Sequence, residues 1–445
     1  MPESYPFLFS RLKPAGLALG LAWVLVAAIW AQAPRPDPDA RLAGDPPGSQ
    51  RALTGAGVPR ATALAALGRE MFADGRLSAS GVLSCATCHD PTNHFAPANE
   101  PAVQFGGEKL DLPGHRAVPS LAYTAATPFF SEHFTEPDEG ENGGMDEGPA
   151  GGRTWDGRVD RPRDQVTIPL FAQNEMANAD GKALMARMAA APYAAQMRQL
   201  FGEHIFRDPH QTLLAIGEAI EAYQETPSEF SPFTSRYDAY LRGEARLTDQ
   251  QMRGLALFID PARGNCQRCH RALPSVQGSL PVFTDFGYNA IGAPRNRRLA
   301  RNADASYFDL GLCGPERRDL ADHPEYCGMF KTPSLRNVAT RRVFFHNGVM
   351  HSLQDAVAFY ATRDTDPGRW YPMAGDGRVS KYDDLPARYR GNVDNEPPFG
   401  GRPGDEPRLV EQDVSDIVAF LATLTEGYEA PGDTDPGAVS RHVSP

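Results

Sequence analysis

The 445-residue sequence predicts a mainly α-helical, loop-rich fold built from two related halves. Three observations lead to this prediction. Apolar residues recur at helical spacing in short stretches, whereas alternating strand patterns are few. The 42 glycines and 40 prolines place much of the chain in loops between those helices. Finally, the pentapeptide Cys-x-x-Cys-His occurs twice, at residues 85–89 and 266–270, each time after a helical stretch and a turn.

This pentapeptide is the attachment motif of c-type haem, because two thiols at this spacing can each add to a vinyl group of the porphyrin. His89 and His270 would then each supply a neutral imidazole to an iron. The alternatives are a zinc site and a thioredoxin-like dithiol. Pairs of cysteines that bind one zinc ion normally lie closer together in the sequence than these two motifs, and a redox-active dithiol does not explain the histidine in both copies. The sequence therefore predicts two covalent haem c groups. Their attachment residues are Cys85, Cys88, Cys266 and Cys269.

The N-terminus predicts export. Arg11 and Lys13 precede an apolar run that ends in a small-x-small pattern at residues 31–33. Residues 1–33 are therefore either a cleaved signal peptide or an N-terminal membrane anchor, and both place the rest of the chain in the periplasm. In that oxidising compartment the two remaining cysteines, Cys313 and Cys327, are predicted to form a disulfide, with two free thiols as the alternative.

The exported part divides into four predicted regions. Residues 34–58 are rich in Pro, Gly, Asp and Arg and predict a linker. Two haem domains are predicted at 59–245 and 246–428, followed by a flexible tail at 429–445. Helical patterns cover residues 64–72, 183–200, 212–223, 252–258, 353–360 and 414–424. The net charge of −12 argues against a nucleic-acid partner.

Several further segments separate an enzyme from a simple electron carrier. They are Trp-Asp-Gly-Arg at 155–158, Gln165, Glu-Met at 175–176, Phe-Lys-Thr-Pro-Ser-Leu-Arg-Asn at 330–337 and Phe-Phe-His-Asn-Gly at 344–348. With the two haem motifs, and in this order, they resemble the bacterial di-haem cytochrome c peroxidase family, which includes the MauG-type enzymes. The resemblance covers most of residues 60–425 and implies peroxide cleavage at the first haem. The second haem would pass or store oxidising equivalents.

The resemblance also implies roles for single residues. Trp155 matches the family tryptophan between the haems, although it could be an ordinary core residue. Glu175 matches the distal acid–base carboxylate, whose pKa an apolar pocket raises, although a solvated glutamate is the alternative. Gln165 would hydrogen-bond in the same pocket. Arg158 and Arg336 are candidates to pair with haem propionates, with structural salt bridges as the alternative.

The far ligand of the second haem departs from the peroxidase pattern. The cytochrome c peroxidases of the family carry methionine fourteen residues after the histidine that matches His346. In this sequence that position is Tyr360, and MauG-type enzymes carry tyrosine there. A phenolate is a hard, anionic donor that favours oxidised iron. Met350 and Met373 remain candidate ligands, and Tyr360 could instead serve core packing.

Two further family features are altered. At the position of the removable histidine ligand of the first haem stands Lys109, while His94 and His115 are out of register, so the first haem is expected to be open to peroxide. The family binds calcium through an asparagine that Ala117 replaces here. Arg341 and Arg342 would stand on the other side of that site, and a dication beside two guanidinium groups is electrostatically unfavourable, which argues against calcium.

The sequence thus predicts a periplasmic di-haem enzyme that reduces hydrogen peroxide to water. Its electron donor would be a small c-type cytochrome or a cupredoxin. One alternative is MauG-like oxidation of a side chain in a protein substrate. Another, from a different functional class, is a di-haem electron carrier without peroxide chemistry, in which both irons would have six ligands.

Overall fold

The computed structural model describes residues 60–135, 146–276 and 278–429. The predicted targeting segment, the linker and all but the first residue of the predicted tail lie outside the described residues. Within the described ranges, no helix is long and apolar enough to cross a membrane.

The fold is mainly helical and rich in loops, which confirms the predicted fold class. In the described ranges the helices are α1 Arg60–Phe72, α2 Cys85–Cys88, α3 Pro162–Gln165, α4 Thr167–Phe171, α5 Gly181–Ala189, α6 Ala194–Phe201, α7 Pro209–Gln224, α8 Pro227–Phe230, α9 Arg236–Leu241, α10 Asp249–Ile259, α11 Leu353–Thr362 and α12 Glu411–Leu421. Two short antiparallel pairs accompany them: β1 Phe105–Gly106 with β2 Leu112–Pro113, and β3 Tyr288–Asn289 with β4 Phe330–Lys331.

One hydrophobic core is formed by residues between positions 64 and 230. Helix α1 packs along α7, and the buried side chains of Leu67, Met71 and Ile220 fill the interface. Gly68 permits the close approach, because a Cβ atom there would lie 1.9 Å from the carbonyl oxygen of Ala219. Glycine is therefore required at this crossing.

The second core, between positions 237 and 424, repeats this arrangement. Helix α10 packs along α12 over Phe258, Ile417 and Phe420. A Cβ atom at Gly254 would lie 2.0 Å from the carbonyl oxygen of Asp416, so a glycine again marks the crossing. The first core ends at Phe230 and the second begins at Tyr237, so the predicted domain boundary at 245/246 lies slightly inside the second core; the domain division itself stays a prediction.

The helices agree with the predicted patterns except at one place. The stretch 183–200 was expected to be helical throughout, but α5 ends at Ala189 and α6 begins at Ala194. Pro192 explains the break, because it has no backbone N–H to donate and disfavours helical geometry in the residue before it. The prediction of uninterrupted helix was wrong there.

Cys313 and Cys327 form a disulfide, as predicted. The loop that it closes reaches the first half of the chain. The side chain of Arg317 donates to the backbone carbonyl of Asp156 at 2.9 Å, and Glu316 Oε1 lies 3.1 Å from His115 Nδ1. The disulfide therefore braces a loop that joins the two halves next to the candidate site.

Candidate functional site

The first Cys-x-x-Cys-His motif forms the single turn α2. Thr87 caps this turn, because its hydroxyl accepts from the backbone N–H of Ser84 at 3.0 Å. His89 follows, and its Nδ1 lies 3.2 Å from the carbonyl oxygen of Phe95. Since a carbonyl only accepts, Nδ1 carries the hydrogen and Nε2 is left with its lone pair. Burial lowers the pKa of His89 to about 4, so the imidazole is neutral, as an iron ligand must be.

The second motif has the same chemistry. Residues Cys266–Arg268 form a 3₁₀ turn. The Nδ1 atom of His270 lies 3.1 Å from the carbonyl oxygen of Phe283, which again leaves Nε2 free. Burial lowers the pKa of His270 to about 4. Both histidines are thus oriented by a backbone carbonyl, the arrangement that fixes the tautomer of metal-binding imidazoles.

The two phenylalanines that orient these histidines are themselves equivalent. Phe95 has φ = 57° and Phe283 has φ = 56°, a left-handed conformation that is uncommon for this residue type. The carbonyl of Phe95 also accepts from the backbone N–H of Leu121 at 3.2 Å, and that of Phe283 from Leu335 at 3.3 Å. The same strained turn therefore occurs in each half, and in each it holds a histidine.

A serine supports each turn. Ser120 Oγ donates to the carbonyl of His94 at 2.8 Å, and Ser334 Oγ donates to the carbonyl of Val282 at 2.7 Å. Both serines belong to a Pro-Ser-Leu tripeptide. Sequence reasoning treated only the later copy as a motif; comparing the two halves for tripeptides shared after each haem motif would have found the earlier one.

The four motif cysteines are free thiols beside their histidines. Burial raises the pKa of Cys85 to about 12 and that of Cys88 to about 11. It raises the pKa values of Cys266 and Cys269 to about 12. Two neutral, reduced thiols and one neutral imidazole at each motif are the donor set that a covalent haem c requires, so the residues present fit this cofactor.

A cavity of about 260 Å³ lies against the second motif and is lined by residues of both halves. His270, Cys266 and Cys269 line it from the second half, and Trp155 and Gln165 from the first. Its walls are mostly apolar, as expected of a cofactor pocket. Glu175 is not among its lining residues, so the structure does not bring Gln165 and Glu175 together in one cavity, as the sequence analysis had expected.

Tyr360 lies on α11, and its side chain lines this cavity. The ring stacks on Phe399 with 5.1 Å between centroids, and no residue in the described ranges hydrogen-bonds to the phenol. Burial raises the pKa of Tyr360. The alternative candidates are placed differently. Met350 is buried outside the cavity lining, and the side chain of Met373 is 63% exposed.

Trp155 is buried where the two halves meet. Its indole Nε1–H donates to the carbonyl oxygen of Ala117 at 2.7 Å. Its own carbonyl oxygen accepts from the backbone N–H of Lys331 at 2.9 Å. The tryptophan is therefore held by one hydrogen bond from each half of the chain.

A charged network surrounds the residue that follows this tryptophan. Asp156 is completely buried and accepts from Arg116 at 2.6 Å and from Arg158 at 2.7 Å. Arg116 also forms two hydrogen bonds to Asp309, at 2.7 and 2.8 Å. The positive charges of Arg116 and Arg158 outweigh the effect of burial and lower the pKa of Asp156. Sequence reasoning missed this network, because its members lie far apart in the chain.

Glu175 lies near the first cysteine pair. The backbone N–H of Gly107 donates to the Glu175 carbonyl at 2.7 Å, and a Cβ atom at Gly106 would lie 2.6 Å from the Glu175 Cα. Burial raises the pKa of the Glu175 carboxyl group, and the positive charge of Arg158 partly offsets this. The negative charge of Glu175 in turn raises the pKa of Cys88, which places the carboxyl group within electrostatic range of the first motif.

Arg336 has no donor left for a haem propionate. Its guanidinium is completely buried and forms two hydrogen bonds to Asp238, at 2.6 and 2.8 Å. The remaining N–H groups donate to the carbonyl oxygen of Pro281 and to Ser235 Oγ. The structure therefore favours the salt-bridge alternative for this arginine. Arg158 pairs with Asp156 but retains further donors.

The described residues thus hold two buried imidazole–dithiol sites, a buried tryptophan where the two halves meet, and a carboxyl group of raised pKa within electrostatic range of the first site. This geometry defines a di-haem c-type redox protein. Residues 62–246 match the family model described as di-haem cytochrome c peroxidase. The chain is also 37% identical to the methylamine utilization protein MauG of Paracoccus denitrificans over 308 residues, which is 68% of this chain and 75% of that protein. The chain therefore belongs to the di-haem cytochrome c peroxidase family.

Two further relatives agree with this assignment. The crystal structure of the diheme peroxidase BthA from Burkholderia thailandensis is similar to this chain with a TM-score of 0.72 and 42% identity, covering 82% of this chain and 86% of that one. Cytochrome c551 peroxidase of Pseudomonas aeruginosa is 30% identical over 296 residues, which is 66% of this chain and 70% of that protein.

Proposed function

We propose that this chain is a periplasmic peroxidase that reduces hydrogen peroxide to water with electrons from an external donor. The observation that carries the proposal is Glu175. A carboxyl group whose pKa is raised by burial, close to the first cysteine pair, is what peroxide cleavage requires and what a pure electron carrier has no use for. We also propose that residues 1–33 direct export and that two haem c groups are attached.

Each haem would be held by one Cys-x-x-Cys-His motif. The paired thiols would form thioether bonds, and the free Nε2 atoms of His89 and His270 would bind the irons. When bound, the haems supply redox-active iron that takes up peroxide and exchanges electrons. The carbonyl groups of Phe95 and Phe283 keep each imidazole in the tautomer and the orientation that binding needs.

Glu175 would move the proton. Peroxide cleavage needs a group that accepts a proton from the inner oxygen and returns it to the departing outer oxygen. Burial raises the pKa of the Glu175 carboxyl group above its ordinary value, which makes the protonated form easier to reach. The positive charge of Arg158 would limit this rise. Gln165 would hydrogen-bond in the cavity beside Trp155 rather than next to Glu175.

Trp155 would carry electrons between the two halves. Its aromatic ring is buried at their junction, and hydrogen bonds to Ala117 and from Lys331 hold it in one position. A fixed ring keeps the transfer distance constant. The electron donor would be a small c-type cytochrome or a cupredoxin.

One observation favours a second candidate function, which is MauG-like oxidation of a side chain in a protein substrate. The side chain of Tyr360 lines the cavity of the second motif. Burial disfavours the phenolate, so a nearby positive charge such as ferric iron would be needed to stabilise it. A phenolate ligand would favour oxidised iron and retain oxidising equivalents for longer.

The test is the haem content and peroxide activity of the purified full-length protein. A pyridine haemochrome assay with intact mass should show two covalent haems per chain. Peroxide should then be consumed with oxidation of two equivalents of a reduced c-type cytochrome. If the protein carries two haems but consumes no peroxide with either the reduced cytochrome or another reductant, the result would instead support the alternative of a di-haem electron carrier.

A further inference from the structure

Basic side chains outnumber acidic ones around the cavity of the second motif. Within the described ranges, five basic residues and one acidic residue line it. The acidic residue, Asp394, pairs with Arg268, and Arg336 pairs with Asp238, which lies outside the lining. The cavity-lining basic residues without an ion pair to any described residue are Arg153, Lys331 and Arg341. The cavity therefore carries three positive charges that the protein itself does not pair.

Arg153 differs from the other buried arginines. Its guanidinium donates only to backbone carbonyl groups, of Thr124 at 3.2 Å and of Asp160 at 3.3 Å. Glu221 acts on Arg153 electrostatically but pairs with Arg163. The other arginines that the described structure buries all form ion pairs with carboxylates: Arg295, Arg317, Arg336 and Arg363. Because an unpaired buried charge is unfavourable, Arg153 calls for an anion that the chain does not supply.

Lys331 is held beside Arg153. Its Nζ atom donates to the carbonyl oxygen of Gly152 at 2.6 Å. Burial, and then the positive charge of Arg153, lower the pKa of Lys331 to about 7, while the negative charge of Asp156 partly opposes this. Asp156 is already paired with two arginines. An anion inside the cavity would stabilise the charged form of this lysine.

Arg341 approaches the same place from another segment. It donates to the carbonyl oxygen of Val118 at 3.0 Å, and the preceding carbonyl, of Ala117, accepts from the indole of Trp155. Burial lowers the pKa of Arg341 to about 10. The backbone N–H of Lys331 donates to the carbonyl of the same tryptophan. The three unpaired cations are therefore anchored to the backbone segments that position Trp155.

We propose that Arg153, Lys331 and Arg341 bind the two propionate carboxylates of the haem attached at the second motif. The inference rests on the proposed attachment of that haem. Each haem brings two carboxylates, so its charge complements that of the cavity. Ammonium and guanidinium groups form short, charge-assisted hydrogen bonds to carboxylates, and a cavity with mostly apolar walls strengthens them. These residues take the place of Arg336, whose N–H groups are all occupied by protein acceptors.

This pairing affects reduction of the second iron. Ionised propionates favour the ferric state, and positive charges beside them oppose that effect. The same positive charges keep the propionates ionised after an electron has been added. The second haem would therefore take up one electron without a propionate also taking up a proton.

The first experiment measures the reduction potential of the second haem in Lys331→Gln and Arg341→Gln, by spectroelectrochemical titration of the haem-loaded protein at several pH values. Glutamine can still donate to the backbone carbonyl, so chiefly the charge is lost. At alkaline pH and a fixed potential, the ferric-to-ferrous ratio should rise by about tenfold in each variant. The potential should also depend more steeply on pH than in the wild type, because a propionate that has lost a cation takes up a proton on reduction.

Two variants separate charge from packing. Arg341→Lys keeps the charge and should retain the wild-type potential. Arg342→Gln removes a charge from the next residue, which is exposed and does not line the cavity, and it should change neither the potential nor its pH dependence. Resonance Raman spectra of the resting ferric protein give a second readout that needs no turnover. The propionate bending band should shift in Lys331→Gln and Arg341→Gln but not in Arg342→Gln.

Wild-type potentials and propionate bands in both glutamine variants of the cavity would overturn the assignment. If Lys331→Gln does not mature, Arg341→Gln compared with Arg341→Lys decides the question. An equal fall in potential in those two variants, without a shift of the propionate band, would indicate lost packing and would also overturn it. None of these results affects haem attachment. Absence of covalent haem at the second motif of the wild-type protein would instead refute the proposed function.

Discussion

The backbone N–H of Lys331 donates a hydrogen bond to the carbonyl oxygen of Trp155 at 2.9 Å. The lysine lies on β4 in the second half, whereas the indole of Trp155 donates to Ala117 in the first. One tryptophan is therefore positioned by both halves. This is the structural basis for expecting it to connect the two haem sites.

Trp155→Phe should keep peroxide disappearance fast but slow the absorbance change of the second haem. Phenylalanine is harder to oxidise than tryptophan, and the loss of Nε1–H leaves the buried Ala117 carbonyl without its donor. Stopped-flow spectra recorded at the two Soret bands separate these steps. Trp370→Phe is the matched control, because Trp370 loses a comparable 3.0 Å hydrogen bond, to Thr362, but does not line the cavity. Equal slowing of both steps would indicate lost packing instead.

Tyr360→Phe should change the spectrum of the second haem and raise its reduction potential, because the phenol that faces the cavity is removed. Tyr360→Met should raise the potential further and shift the enzyme toward a methionine-ligated peroxidase. Spectroelectrochemical titration measures both effects. Met350→Leu and Met373→Leu should leave spectrum and potential unchanged, since neither methionine lines the cavity. A wild-type spectrum in Tyr360→Phe, with loss of ligand bands in either methionine variant, would contradict the assignment.

Arg336→Leu should lower the free energy of unfolding by about 3–5 kcal/mol, because it leaves the completely buried carboxylate of Asp238 without a partner. Urea denaturation followed by circular dichroism measures this loss. The control is Arg378→Leu. Arg378 pairs with Asp376 at 2.6 Å, and both side chains are well exposed, so its loss should have a much smaller effect on the free energy of unfolding. If Arg336→Leu changes the free energy of unfolding only slightly but alters the haem spectra, the result would instead support a role of Arg336 in haem binding.

The sequence predicted the features that depend on neighbouring residues. The two Cys-x-x-Cys-His motifs, the mainly helical fold and the Cys313–Cys327 disulfide are of this kind, because they follow from residue spacing and from the predicted compartment. The structure was needed for features that depend on distant residues. Asp156 and Asp309 share Arg116 across more than 150 positions, and the pairing of His115 with Glu316 spans 201. No periodic pattern signals such contacts.

The roles of Trp155, Glu175 and Tyr360 came from resemblance to a family, and they stay predictions. The structure adds the surroundings on which each role depends. Burial around Glu175 and the cavity beside Tyr360 could not be read from local sequence, since Gly106 and Phe399 provide them from elsewhere in the chain. The sequence could not distinguish Arg336 from Arg158 as candidates to pair with haem propionates. In the structure, only Arg336 has all its N–H donors occupied by other protein groups.

The reaction of Glu175→Gln with peroxide tests whether Glu175 is the proton carrier for peroxide cleavage. Because burial raises the pKa of this carboxyl group, the wild-type rate should fall with decreasing pH at values above the ordinary glutamate range, as the protonated group can no longer accept a proton. Stopped-flow mixing of the ferric holoprotein with peroxide should show this acidic limb in the wild type. In Glu175→Gln the limb should be absent and the rate about 10²–10⁴-fold lower, with nearly unchanged haem spectra. Wild-type peroxide kinetics in Glu175→Gln, with the same pH dependence, would contradict the account.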